Sequence, residues 1–178
     1  MIRRYHIVAI SIRIVINNFG EHDPDGIMYV LKENEKRVKE EVARNPFTPV
    51  ELVQPLVIRA NVEDDIEILF ENKLPFNTSI HIQRAEYNVE TSDGAFVGCN
   101  RDSTAPPCPP GGKQIYRWHV IREGINFFSD LGNPLASEFG SNVHGLFGAL
   151  IVQPKGSTWT DPVTGKPINS GVFADEIG

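Results

Sequence analysis

His81 and Gln83 sit two positions apart in Ser79-Ile80-His81-Ile82-Gln83, with Ile80 and Ile82 in the alternate places. Side chains two apart on a strand leave it on the same side, about 6.6 Å from one another along the chain. Two imidazoles so placed could hold neighbouring metal ions; here one of the two is an amide. The remaining histidines are scattered. His22 stands among acids in Asn17–Gly26, where a loose metal site is conceivable but a solvated turn is the simpler reading. His119 shares a strand face with Arg117, as a surface histidine would. His144 precedes Gly145 at the mouth of an apolar run and could lie near His81, either as a ligand or as a loop hydrogen-bonding group. Cys99 and Cys108 share one polar, Pro-rich loop. They could form a disulfide in an oxidising compartment or remain unpaired thiols, and neither has zinc-site spacing to another Cys or His.

The elements that must carry these residues are mostly strands. Asp65–Glu71 alternates, with Ile66, Ile68 and Phe70 on one face and Asp65, Glu67 and Glu71 on the other. Asn72–Asn77 has turn chemistry and leads into the second strand of the pair, Thr78–Gln83. Upstream, Val8, Ile10, Ile12, Ile14 and Ile16 form the apolar face of a long strand, and Asn17–Gly26 turns. Ile27–Arg44 is the helical stretch, rich in Glu, Lys and Arg, with a thin stripe of Leu31, Val38 and Val42 and a stop at Asn45-Pro46. Strands follow around Leu56–Ile58, Tyr87–Val97, Gln114–Ile121 and Ile125–Phe128. Leu146–Val152 is apolar almost throughout, as in a strand buried on both faces. Short strands, Gly/Pro turns and one inserted helix predict an all-β Greek-key sandwich, with a barrel as the alternative.

Composition narrows the classes. At 178 residues the chain can bury a core of its own. A net charge of −6 and the lack of any extended Lys/Arg cluster argue against a nucleic-acid or anionic-membrane partner. No apolar run is long enough to span a membrane. Ile7–Ile16 is interrupted by Ser11 and Arg13 and has no small-residue cleavage site, so it reads as a strand rather than a signal peptide, which favours the cytoplasm. The end of the chain, GVFADEIG, closes no visible element, as expected of a fragment.

Several motifs in order then carry a resemblance: VEDDIEILFENKL, SIHIQ, SDGAFVG, CPPGGKQIYRW, REGINFFSD and HGLFGALIVQP. Together they resemble the N-terminal cupredoxin domain of multicopper oxidases, over roughly residues 55–155, and the front segment is similar to a bacterial branch with an early helical insertion. The resemblance implies a cupredoxin-like sandwich over residues 1–178 as a single domain, with its core at about 50–155 and the insertion at about 27–45. It also implies copper as cofactor, and other cupredoxin domains, of the same chain or of a homo-oligomer, as partners.

In that family this domain gives two His-x-His pairs to a trinuclear copper cluster that reduces dioxygen. The first pair falls on His81 and Gln83, the second on Ser129 and Leu131, with Asp130 between them as a displaced carboxylate. Three of the four family ligands are therefore changed, and imidazole suits copper better than weak oxygen donors do. Asp93 matches a family carboxylate that relays protons to the oxygen being reduced; a plain Asp-Gly turn explains the same pair. No sequence resembling the blue-copper ligand segment occurs. The resemblance thus implies part of an oxidase rather than a complete enzyme. Two alternatives stay open: a copper-free module with a structural or docking role, and a small copper-binding protein built on His81.

Overall fold

The computed structural model describes residues 1–95, 109–132 and 140–177; Cys99 and Cys108, and with them the question of a disulfide, lie outside this set. In chain order the strands are β1 (Ile2–Ser11), β2 (Ile14–Val15), β3 (His22–Asp23), β4 (Ile27–Leu31), β5 (Leu56–Asn61), β6 (Asp65–Asn72) and β7 (His81–Ile82). They continue with β8 (Glu86–Tyr87), β9 (Lys113–His119), β10 (Gly124–Ser129), β11 (Phe147–Gln153), β12 (Thr158–Thr160), β13 (Pro167–Ile168) and β14 (Asp175–Ile177). The helices are α1 (Glu35–Arg44) and the short α2 (Val89–Ser92).

Two sheets face one another. One runs β4-β1-β6-β9-β8 and the other β5-β11-β10-β7, while β13-β12-β14 and β2-β3 are small satellites. The alternation of β6 decides its orientation: Ile66, Ile68 and Phe70 are buried, and Asp65, Glu67 and Glu71 point outward. From β9, Tyr116 and Trp118 join them, and from the opposite sheet come Ile58, Ile82, Phe128, Leu150 and Val152. Five rings, Tyr29, Phe70, Tyr116, Trp118 and Phe128, meet at centroid separations of 5.7–6.4 Å. Edge and tilted contacts of this kind add to the burial of large apolar area.

Several sequence expectations need correction. Ile27–Leu31 is a strand, not the start of the helix; all five residues are buried and pair antiparallel with β1. Its β-branched, uncharged run fits a strand covered on both faces, and helix begins only where Glu, Lys and Arg do. The strand β1 buries both faces as well. Tyr5, Ile7 and Ala9 enter the main core, while Val8, Ile10 and Ile12 meet Met28, Val30 and Val38 in a second cluster. The strand ends at Ser11, and Ile16 is exposed. β6 and β7 are not partners in a hairpin. The chain crosses between sheets after Asn72, whose buried amide donates to Phe76 O at 2.8 Å and accepts from Leu74 N at 2.9 Å. Tyr87 closes a two-residue strand and is followed by α2, which Asn88 caps by accepting from Glu90 N. The final residues do form an element, since β14 pairs with β12.

The inserted helix is held by charge as well as by Val38. Glu35, nearly buried, accepts hydrogen bonds from Lys32, Lys39 and Lys73 at 2.8–2.9 Å. Burial alone would push its carboxyl pKa up; the three ammonium groups outweigh that and hold it down at about 2. A depressed carboxyl contributes stability above its unfolded value and loses it as pH falls toward the folded one. Glu35→Gln is therefore expected to cost about 2 kcal/mol at neutral pH, with the gap closing as pH falls from about 4.5 toward 2. Urea unfolding across that pH range measures it.

Candidate functional site

His81 lies at the end of the second sheet because Ile80 and Ile82, on either side of it, are fully buried. This alternation turns the imidazole away from the core, where it is partly exposed. Its ring is held by the Asp93-Gly94 turn. Nδ1 lies 2.8 Å from the Asp93 carbonyl oxygen, so Nδ1–H is the donor. The same nitrogen is 3.4 Å from Asp93 Oδ1. With Nδ1 protonated, Nε2 keeps its lone pair, the form in which imidazole binds metals.

Asp93 is oriented in turn. Tyr87 donates to Oδ1 at 2.7 Å and Ala95 N donates to Oδ2 at 3.3 Å. Burial, and then the hydrogen bond to the Asp93 carboxylate, push the Tyr87 hydroxyl up to about 12. The Tyr87 ring meets the His81 ring edge-on, with centroids 6.2 Å apart. Gly94 makes the approach possible. It has φ +72°, and a Cβ there would stand 2.4 Å from Ile80 O.

The Ser129–Leu131 segment arrives at the same place. Ser129 is the antiparallel partner of His81, and Leu131 bridges to Ala95. Asp130, between them, is fully buried. Its carboxylate accepts from Ser79 N at 2.9 Å, from Gly132 N at 2.8 Å and from the Ser141 hydroxyl. Desolvation pushes its pKa up; the donors Ser141, Gly132 and Ser79 offset this only in part. Ser79 also donates from its hydroxyl to Gly94 O. Thus Ser79 ties the Asp130 carboxylate to the turn that holds His81.

Of the residues singled out in the sequence, His81, Asp93, Ser129, Asp130 and Leu131 converge. Gln83 is exposed beyond the end of β7, where its backbone N donates to Phe127 O. His144 is bound elsewhere, with Nδ1 2.7 Å from Asp23 Oδ2 in the β2–β3 hairpin. Asp130, expected as a displaced metal ligand, lies in the interior with its oxygens accepting from protein donors. Tyr87, Ser79 and Ser141 were not legible as site residues. Ser79 fell on the outward face of the expected strand, yet it is buried where that strand has not begun.

Copper chemistry needs several converging ligands, and the described residues do not provide them. No group of three His, Cys, Asp or Glu side chains able to hold a metal ion occurs among the described residues. His81 offers one imidazole nitrogen. Ser129 and Leu131 beside it offer a hydroxyl and a hydrocarbon. Among the described residues, no set of side chains fits a copper centre by itself.

Comparison with known proteins gives the ancestry of this arrangement. The profile of the family described as multicopper oxidase matches residues 51–157. Over 108 residues the chain is 32% identical to a probable nitrite reductase-hydroxylamine oxidoreductase fusion protein of Kuenenia stuttgartiensis, covering 60% of this chain and 12% of that one. A multi-copper oxidase from Pseudomonas thermotolerans shares the fold at TM-score 0.59 and 20% identity, over 87% of this chain and 30% of that chain. A copper nitrite reductase from Nitrosomonas europaea does so at TM-score 0.60 and 16% identity, over 88% and 43%. The chain spans less than half the length of each of these relatives. With this sandwich topology and a family match over more than half of its length, this chain belongs to the multicopper oxidase family and has the cupredoxin fold of that family's domains.

Proposed function

We propose that this domain works in a larger multicopper oxidase assembly, contributing to copper binding and to copper-dependent oxidation with dioxygen reduction. The observation that carries the proposal is the held tautomer of His81. Nδ1–H is fixed on the Asp93 carbonyl oxygen, and Nε2 is left as an acceptor on the sheet surface. The domain contributes one imidazole there, and the other ligands come from other cupredoxin domains, of the same chain or of a homo-oligomer. Asp93 orients that imidazole. Its proposed part as a proton relay rests on its family position and on the hydrogen bond from Tyr87, which keeps a second protic group against its carboxylate.

A second reading is favoured by Ser129 and Leu131, which take the places of family ligands: a copper-free cupredoxin module with a structural or docking role. The two differ in one experiment. The natural protein is isolated with and without His81→Ala, and its copper content and dioxygen consumption are measured. As a ligand, His81 is needed for copper: affinity in the variant falls more than about tenfold, the lower range for loss of mere supporting residues around a metal. Unchanged copper content and turnover would leave the domain as a scaffold.

A further inference from the structure

His144 is not used by the site above, and both its ring and its backbone are held. Its Nδ1 is hydrogen-bonded to Asp23 Oδ2 at 2.7 Å. Its carbonyl oxygen accepts from Ile27 N at 3.0 Å, fixing the backbone to β4. The next residue, Gly145, has φ +108°, and a Cβ there would stand 2.8 Å from Ile27 O. The 144–145 backbone is therefore packed against β4 as closely as glycine allows.

The ring that this packing fixes borders a recess of about 280 Å³, lined also by Ile14, Ile16, Met28, Val53 and Phe147. Apart from the His144–Asp23 pair and Gln54, the lining side chains are apolar. Ligand sites commonly combine an apolar wall with a few oriented polar groups, and this volume sits at their lower size limit, about 300 Å³. The Asp23 carboxylate accepts only, so Nδ1 carries the hydrogen and Nε2 is the acceptor in the neutral ring. No protein partner of Nε2 occurs among the described residues.

We propose that this recess binds a small neutral molecule that is apolar over most of its surface and carries one hydrogen-bond donor, with His144 Nε2 as the acceptor. The apolar wall supplies the affinity and the imidazole the orientation. Asp23 is the positioning residue, since it sets the tautomer. Neither His81 nor Asp93 lines the recess, and Phe147 in its wall is the strand partner of Ser129.

Indole and indene test this directly, because they have nearly the same shape and only indole has an N–H. Heteronuclear NMR titration of the 178-residue chain should give saturable shifts at Ile16, Val143, His144 and Gly145 with indole. Binding of indene should be weaker by about fivefold, the worth of one net hydrogen bond. In His144→Leu the preference should vanish, with the two compounds binding alike. Should that variant fail to fold, Val53→Trp fills the recess while leaving the His144–Asp23 pair, and it should abolish the indole shifts. Equal affinity for both compounds in the wild-type chain, shifts that never saturate, or indole binding that survives in Val53→Trp would each overturn the proposal.

Discussion

Asp130→Ala is expected to destabilise the domain by about 3–5 kcal/mol, the sum of a few buried donors at about 1–3 kcal/mol each. The wild-type carboxylate is fully buried and receives Ser79 N–H, Gly132 N–H and the Ser141 hydroxyl. Alanine leaves those donors inside the protein with no acceptor and opens a small void. Asp130→Asn keeps one acceptor oxygen and the shape, and should cost less. The pair also predicts a pH effect. Burial raises the Asp130 pKa in the folded state, so the folded protein binds a proton more readily than the unfolded chain. The stabilisation from that proton is full below the unfolded value and is lost as pH rises through the folded value. The amide has no such dependence. The stability gap between wild type and Asp130→Asn should therefore narrow as pH rises through the native pKa of the carboxyl. Urea denaturation of both proteins on one pH series measures this.

Gly94→Ala should have an effect of similar size by a different route. Its φ of +72° is unfavourable for any residue with a Cβ, by about 1–2 kcal/mol. The added methyl would also lie 2.4 Å from Ile80 O and 2.9 Å from Ile80 C, which are backbone atoms and cannot step aside alone. Pushing the turn off β7 costs a further 1–3 kcal/mol or so, for a total of about 2–5 kcal/mol. The local consequence matters more for function. The Ser79–Gly94 bond breaks, and the Asp93 carbonyl moves away from His81 Nδ1. The imidazole should then lose its fixed tautomer. Nitrogen chemical shifts of the His81 ring report that change apart from global stability, and Asp130→Asn should leave them closer to the wild type.

The sandwich was legible because β6 and β9 alternate apolar and polar residues, and a period of two has one structural meaning. What was not legible follows from residues that serve two surfaces. Ile27–Leu31 has no polar face, since the main core lies on one side of it and the α1 cluster on the other; an apolar run of this length carries no period by which to separate strand from helix. The crossing at Asn72 was hidden for a related reason. A turn sequence shows that the chain bends, not which sheet receives it. At the site, His81 could be found from its spacing, and Ser129–Leu131 from family order. The burial of Asp130 and its donors left no mark in the sequence, because a carboxylate that binds a metal and one that braces a fold are the same residue type. Tyr87 left no signal at all; its hydroxyl reaches Asp93 through the fold of a two-residue strand and a short helix.

These contacts orient a single imidazole beside the Ser129–Leu131 segment. Ser129 occupies the cross-strand position next to His81, Leu131 bridges to Ala95, and Asp130 holds the interior together. The most direct measurement is titration of the chain with Cu(II), followed by continuous-wave and pulsed electron paramagnetic resonance that counts coordinated imidazoles. A domain that contributes His81 alone should hold copper weakly, through a single imidazole, with the signal lost in His81→Ala. A tightly held ion with two or more imidazoles, or a spectrum unchanged in His81→Ala, would contradict this assignment of the site.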